Sequence, residues 1–269
     1  MDIVSDAERR LPPLDTSKPH PARMYDWYLG GKDNYPVDSA AAEQVKSFFP
    51  QVAELARANR KFMHRASRAL AQMGVRQFLD IGTGIPTEPN LHQVVQGVAS
   101  ESKVVYADND PIVLRHAQAL LTSSAEGQTT YIQADVREPG KIIEAARETL
   151  SFDEPIALSL VALLHFVSDE FGAFDLVRQL LEPLPVGSYL VLSHVTGDFD
   201  PDAWRAIEDV YRSHGTPAQV RSRAEFAKFF SGMQLIEPGI ELGTAWRPEA
   251  DEQREGEPLP LYGAVAQKK

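Results

Sequence analysis

Three residues at the end of one short apolar run have the types and spacing to hold a ligand. In "RQFLDIGTGIPTEPN" (Arg76–Asn90) a carboxylate, Asp80, precedes Gly82 and Gly84 in the pattern D-x-G-x-G. Glycine turns after apolar strands let the backbone approach a nucleotide. A dinucleotide fold wants a third glycine where Thr87 stands, with Pro86 before it. A phosphate loop wants a lysine after its last glycine, and none follows here. A carboxylate at the strand end would repel a pyrophosphate and attract a cation. A ligand with an ammonium and a sulfonium but no phosphate, such as S-adenosylmethionine, suits the turn. Pro86 and Asn90 have no part in that reading.

Two more strand ends carry polar groups. "VVYADND" ends in Asp108, Asn109 and Asp110, and "IQADV" ends in Asp135 and Val136. Asp110, before Pro111, reads as a helix cap, and Asp135 could equally pair with Arg137. His165, after "IALSLVALL", and His194, in "LSHVT", are the candidate general bases, because an imidazole titrates near neutrality. The plainer reading of each is packing. His20, His64, His92, His116 and His214 read as helix-surface or loop residues. No H-E-x-x-H or clustered ligand spacing points to a metal.

Composition narrows the chemistry. With 269 residues, 43% of them hydrophobic, the chain can bury a sizeable core. Its formal net charge of −11 argues against tracking along phosphate backbones, so nucleic acid is a poor substrate guess. There is no cysteine, which removes disulfides, thiolate metal sites and a cysteine nucleophile. The charged N-terminal stretch lacks a signal-peptide core, and no run reaches the roughly 20 apolar residues of a membrane helix. A cytoplasmic protein is expected.

The elements that must position these residues alternate at short range. Apolar strands are predicted at "VRQFLDIG", "KVVYADND", "TTYIQADV", "PIALSLVALLHFV" and "GSYLVLSHVT", with helices between them and a helix opening at Pro111. That alternation predicts an open parallel sheet covered on both faces. "AWRAIEDVYRSHG" and "RAEFAKFF" read as helices, "MQLIEPGIEL" and "LYGAVAQKK" as final antiparallel strands, and the acidic "RPEADEQREGEPLP" as a loop. Residues 1–20 read as a polar arm. "ARMYDWYLGGKDNYPVD" begins helically and breaks at Gly30-Gly31. A long helical region follows, capped by Asp38 or Ser39, with Arg57, Lys61, Arg65 and Arg68 mostly on its solvated face.

The series "KPHPARMYDWYLGGKDNYPVD", "ANRKFMHRA", "FLDIGTGIPTEPNLHQVVQ", "VVYADNDPIVLRHAQALL" and "GSYLVLSH" resembles an actinobacterial-type family of uncharacterised S-adenosyl methyltransferases, within the class I superfamily. The resemblance runs from about Lys18 to the end. It implies a Rossmann-like α/β fold: a mostly parallel seven-stranded sheet with helices on both faces, residues 75–269, behind an N-terminal arm and helical cap or lid, residues 1–74.

It also implies S-adenosylmethionine as cofactor. Asp80 would face its ammonium, with Gly82, Thr83 and Gly84 at the turn. Asp108 would take the ribose hydroxyls, Asn109 and Val136 would flank the adenine, and Asp135 would accept from its amino group. Ala162, Leu163 and His165 would line the methyl end. The chain lacks the N-P-P-Y or D-P-P-Y motif of enzymes that methylate base amino groups. The expected acceptor is therefore a small molecule, with no membrane partner and homodimerisation left open. Tyr25, Tyr28, Asn34 and Tyr35 could close as a lid, and Arg23 or Arg60 could clasp a carboxylate. The rival readings are a non-enzymatic binder of the same cofactor and, further off, an NAD(P)-dependent oxidoreductase.

Overall fold

The computed structural model describes residues 15–113, 115, 123–250 and 257–269. Five parallel strands form its centre: β1 (Gln77–Ile81), β2 (Lys103–Asp108), β3 (Gln128–Gln133), β4 (Ile156–Val161) and β5 (Tyr189–Val195). β1 is buried along its whole length, and β2, β4 and β5 nearly so. Near-continuous apolar runs of this kind are what a sheet covered on both faces requires.

β8 (Leu261–Gln267) closes the sheet antiparallel to β5, from Tyr189 opposite Gln267 to Val195 opposite Leu261. The order is β3-β2-β1-β4-β5-β8-β6, with β7 also on β8, eight strands among the described residues. The extra strand arises because the stretch expected as one strand is two short ones, β6 (Gln234–Leu235) and β7 (Glu241–Leu242). Between them Pro238 has no N–H for a ladder, and Gly239 has a φ of 88°.

The N-terminal region contains α1 (Pro21–Leu29), α2 (Pro36–Phe48) and α3 (Val52–Gln72). The expected long helical region is thus interrupted at residues 49–51. Neither Asp38 nor Ser39 is the N-cap of α2. Tyr35 holds that place, and Asp38 reaches back to accept from the Tyr35 N–H at 2.8 Å. Asp38 is fully buried and also accepts from the His20 N–H at 2.8 Å.

Two more expectations are corrected by burial. Arg65 turns inward, its Nε donating to the Trp246 carbonyl at 2.9 Å. His92 is buried against Tyr106, with Nδ1 3.0 Å from the phenol oxygen.

Between the strands lie α4 (Leu91–Gln96), α5 (Pro139–Ala146) and α6 (Ala173–Leu181), and α7 (Pro201–Ser213) and α8 (Arg223–Ala227) follow β5. Ile112 donates to Asp110 Oδ1 at 3.0 Å, so Asp110 caps the chain at Pro111 as expected. Most of the helix expected there, His116 included, lies outside the described residues, as do most of the N-terminal arm and the centre of the acidic loop. Among the described residues no helix is long and apolar enough to cross a membrane.

Two apolar layers cover the sheet, one from α5, α6 and α8, the other from α3 and α4. A third cluster joins α1, α2 and α3 to α7 through Met24, Val45, Leu55, Trp204 and Ile207. It lies beyond the carboxyl ends of the central strands, where the strand order reverses between β1 and β4. Open α/β sheets bind ligands there.

Candidate active site

A cavity of about 410 Å³ opens at that reversal. One half is made of strand ends. β1 delivers Asp80, and the turn after it delivers Gly82, Thr83 and Gly84. Gly82 has a φ of 74°, and a Cβ there would stand 2.6 Å from Leu163 Cδ1. Gly84, at φ 68°, donates its N–H to Asp108 Oδ2 at 2.9 Å. The two glycines therefore let the first turn lie against the tip of β4 and the end of β2. Asn90, unexplained by the sequence reading, accepts from the Thr87 N–H at 3.1 Å, and Gln93 Oε1 accepts from the Asn90 N–H at 2.6 Å. This residue ends the glycine loop and starts α4.

The carboxylates of this half differ in state. Asp80 is 7% exposed. Burial raises its pKa to about 6, against the Ser159 and Thr83 hydroxyls and the more distant Arg60 guanidinium, which pull it down. Burial also raises Asp108, although its oxygens accept from the Gly84 and Asp110 N–H groups. Asp135 moves the other way. Arg137 Nε and Nη2 donate to its two oxygens at 2.9 and 2.6 Å, and Asn109 Nδ2 approaches at 3.3 Å, so its pKa is lowered.

The tip of β4 bends sharply. Ala162 takes a φ of 54°, a region that non-glycine residues rarely enter. Its N–H donates to Ser193 Oγ at 2.9 Å, and Ser193 donates to Asn59 Oδ1 at 2.5 Å. Asn59 Nδ2 donates to the Tyr25 hydroxyl at 2.9 Å, which donates to the Ala56 carbonyl. One chain of hydrogen bonds thus runs from the strained tip through β5 and α3 to α1.

The other half is walled by helices: Tyr25 and Tyr28 of α1, Val45 of α2, Leu55 of α3, and Trp204, Ile207 and Tyr211 of α7, with Phe166 beyond β4.

The structure brings most of the expected residues to one cavity. Asn109, Val136, Ala162, Leu163 and His165 line it together with Asp80, Asp108, Asp135, Tyr25, Tyr28 and Arg60. Four expected residues do not line it: Arg23, Asn34, Tyr35 and His194. Asn34 is spent on Asp26 and Ser39, its Nδ2 2.8 Å from Asp26 Oδ2. Tyr35 lies under the Arg23 guanidinium. His194 is fully buried, with Nδ1 2.6 Å from the Val195 carbonyl and Nε2 accepting from Arg221 Nη1 at 2.8 Å. Burial and Arg221 push its pKa down to about 3, which leaves no free nitrogen for a base.

His165 keeps its place. Its ring lines the cavity, Nδ1 has no hydrogen-bond partner, and burial holds its pKa well below 6.5.

The glycines after α1 hold its end in place. Gly30 supplies a left-handed cap, and a Cβ at Gly31 would stand 1.9 Å from Asp26 Oδ1. Arg23 is buried between Asp38 and Asp110, each at 3.4 Å, and so is no free clasp. Arg60 donates Nη2 to the carbonyls of Thr87 and Pro89, which places it against the glycine loop. Trp204, Ile207, Tyr211 and Asn59 were not expected in the site. The helical period of "AWRAIEDVYRS" puts the first three on adjoining faces, but not what those faces meet.

The fold and the carboxylate-before-glycine turn define a class I methyltransferase that uses S-adenosylmethionine. The chain belongs to the S-adenosyl methyltransferase family whose model matches residues 7–269. It is similar to a crystallised duf574 family protein from Streptomyces avermitilis, at 46% identity over 96% of this chain and 100% of that one, with a TM-score of 0.92. A putative methyltransferase from Thermobifida fusca is 36% identical over 96% of this chain and 98% of its own, at a TM-score of 0.86. The plantazolicin methyltransferase BpumL, solved in complex with S-adenosylhomocysteine, shares the fold at 12% identity and a TM-score of 0.51, over 92% of this chain and 95% of its own. No curated protein matches the chain.

Proposed function

We propose that this cavity carries out methyl transfer to a small-molecule acceptor, with the cofactor along the strand ends and the acceptor between the helices. The observation that carries the reading is the convergence of Asp80, Asp108 and the β4 tip on one cavity with a second, helix-walled half. In this assignment Asp80 takes the ammonium of the methionine arm. Arg60, whose charge is felt at Asp80, faces the carboxylate of the same arm. Asp108 takes the ribose hydroxyls with lone pairs not used by Gly84 and Asp110. Asn109 and Val136 flank the base. Arg137 already occupies both oxygens of Asp135, so Asp135 holds the adenine end mainly by shaping it.

When bound, S-adenosylmethionine supplies a methyl carbon that bonds to the acceptor's lone pair as its C–S bond breaks, the electron pair staying on sulfur. The protein's part is positioning and exclusion of water. His165 is neutral at pH 7 and can take the acceptor's proton and pass it to solvent. A hydroxyl oxygen becomes strongly acidic as it is alkylated, so a weak base suffices.

Two features support a small acceptor over nucleic acid: the net charge of −11 and the apolar helix-walled half. The test is calorimetric binding of S-adenosylhomocysteine beside NADH. Micromolar binding of the first and none of the second is expected. Binding of NADH alone would overturn the assignment.

A further inference from the structure

The charged side chains of the cavity are segregated. Arg60, Asp80, Asp108, Asp135 and Arg137 all lie toward the strand ends and the loop after β1. Between the helices the walls are Val45, Phe49, Val52, Leu55, Trp204 and Ile207.

The titratable groups on that side are held neutral. Burial raises Tyr25 and Tyr28, pushes Tyr211 up to about 12 and lowers His165. A charged acceptor there would lose its hydration and find no opposite charge.

Among the polar groups on these walls, two phenols pair across the helices. The hydroxyls of Tyr28 and Tyr211 are 3.2 Å apart. A pair of phenols uses one hydrogen between them and leaves the other to donate to a third group. The Tyr25 hydroxyl is not available in this way, because it is committed to Ala56 and Asn59.

From the pair, an aromatic wall leads to the methyl end. The Tyr211 and Phe166 rings are 5.1 Å apart and the Phe166 and His165 rings 4.3 Å. Each pair is tilted by 59°, so the wall offers ring faces and edges to an aromatic ligand.

We propose that the helix-walled half is a site for an uncharged, largely apolar aromatic acceptor bearing a hydroxyl-type group, with the Tyr28–Tyr211 hydroxyl pair as its polar contact. The inference rests on the placement of the cofactor along the strand ends. Its test separates the two, because lobe and cofactor are titrated independently.

The probes are 2-naphthol, 6-hydroxy-2-naphthoate and naphthalene. Each is titrated by calorimetry into the full chain, alone and saturated with S-adenosylhomocysteine. The expected result is 2-naphthol binding at least tenfold tighter than the naphthoate. The Tyr28→Phe/Tyr211→Phe double variant should bind 2-naphthol at least fivefold more weakly, with naphthalene and S-adenosylhomocysteine affinities unchanged. Equal or tighter binding of the naphthoate, no binding of 2-naphthol, or an unaffected double variant would overturn the proposal. Failure of S-adenosylhomocysteine to bind strikes the cofactor placement alone, and the naphthol titration of the unliganded chain still decides the lobe. Circular dichroism melts confirm that the double variant is folded.

Discussion

The two halves of the cavity are made by opposite means. The strand-end half consists of short loops, each within a few residues of a strand of the parallel sheet, and it concentrates charge. The helix-walled half is assembled from α1, α2, α3 and α7, and its titratable groups are held neutral. Strand ends repeat the same geometry wherever a parallel sheet reverses its order, so a cofactor that meets only them can be held by a local motif. A wall of helices depends on which faces meet, and so can be altered piece by piece. On the proposed reading, the difference matches a constant cofactor in the first half and the choice of acceptor in the second.

The largest expected effect tests whether the halves are separable. Asp80→Ala removes the buried carboxylate proposed to take the cofactor's ammonium. S-adenosylhomocysteine affinity should fall at least about 100-fold, roughly 3 kcal/mol, the scale of a charge-assisted contact in a dry site. Binding of 2-naphthol should be unchanged in the same calorimeter. An equal fall for both ligands would mean that the halves act as one site.

Asn59→Ala attacks the connection between the halves. Asn59 bridges Tyr25 of α1 and Ser193 beneath the β4 tip. Its loss leaves the buried Ser193 hydroxyl without its acceptor. The expected cost is about 2 kcal/mol of stability, or a Tm lower by about 4–8 °C, read by a thermal melt. A Tm within 1 °C of the parent would show that the bridge carries no stability.

These contrasts also mark what was readable in the sequence. The strand-end residues were legible because each follows an apolar run directly: Asp80 after "FL", Asp108 after "VVYA", Ala162 after "LSLV". That the central strands form a parallel sheet followed from their alternation with helices. The cap was harder to read. Asn34 and Tyr35 share a segment with Tyr25 and Tyr28, but the bend at Gly30-Gly31 wraps them around Asp26 and Arg23 instead. Tyr211 meets Tyr28 across 183 positions, and no local pattern announces such a contact. Arg65, His92 and His194 look like surface or catalytic groups by type. Their buried partners, a carbonyl, a phenol and Arg221, come from distant segments.

A smaller effect comes from pH. Asp80 has a pKa of about 6 before ligand binds, and an ammonium group binds its ionised form. As pH falls through 6 the carboxyl takes up a proton, and that proton must be lost on binding. S-adenosylhomocysteine affinity should therefore be level above pH 7 and fall toward tenfold per unit below about 6. The cofactor's own ammonium stays protonated throughout this range. Binding of 2-naphthol should change far less across the same transition, because burial raises Tyr25, Tyr28 and Tyr211 and lowers His165, away from neutrality. Calorimetry at five pH values distinguishes the two profiles. A flat S-adenosylhomocysteine profile would remove Asp80 as the ammonium's partner.

The smallest effect is expected within the strand-end half itself. Asp80 and Asp135 both stand at the ends of parallel strands, and by position alone both are cofactor ligands. Their surroundings separate them. Asp80 is deeply buried, so an arriving cation gains most of the interaction it offers. Asp135 is partly exposed and already bidentate to Arg137, so a further donor must share oxygens that are in use. Exposed ion pairs are themselves worth little, and their removal frees Asn109 to reorient toward the base. Asp135→Ala should therefore weaken S-adenosylhomocysteine binding by less than about threefold, under 0.7 kcal/mol. A loss approaching that of Asp80→Ala would show that Arg137 gives way when the adenine arrives, and would restore Asp135 as a direct contact to its amino group.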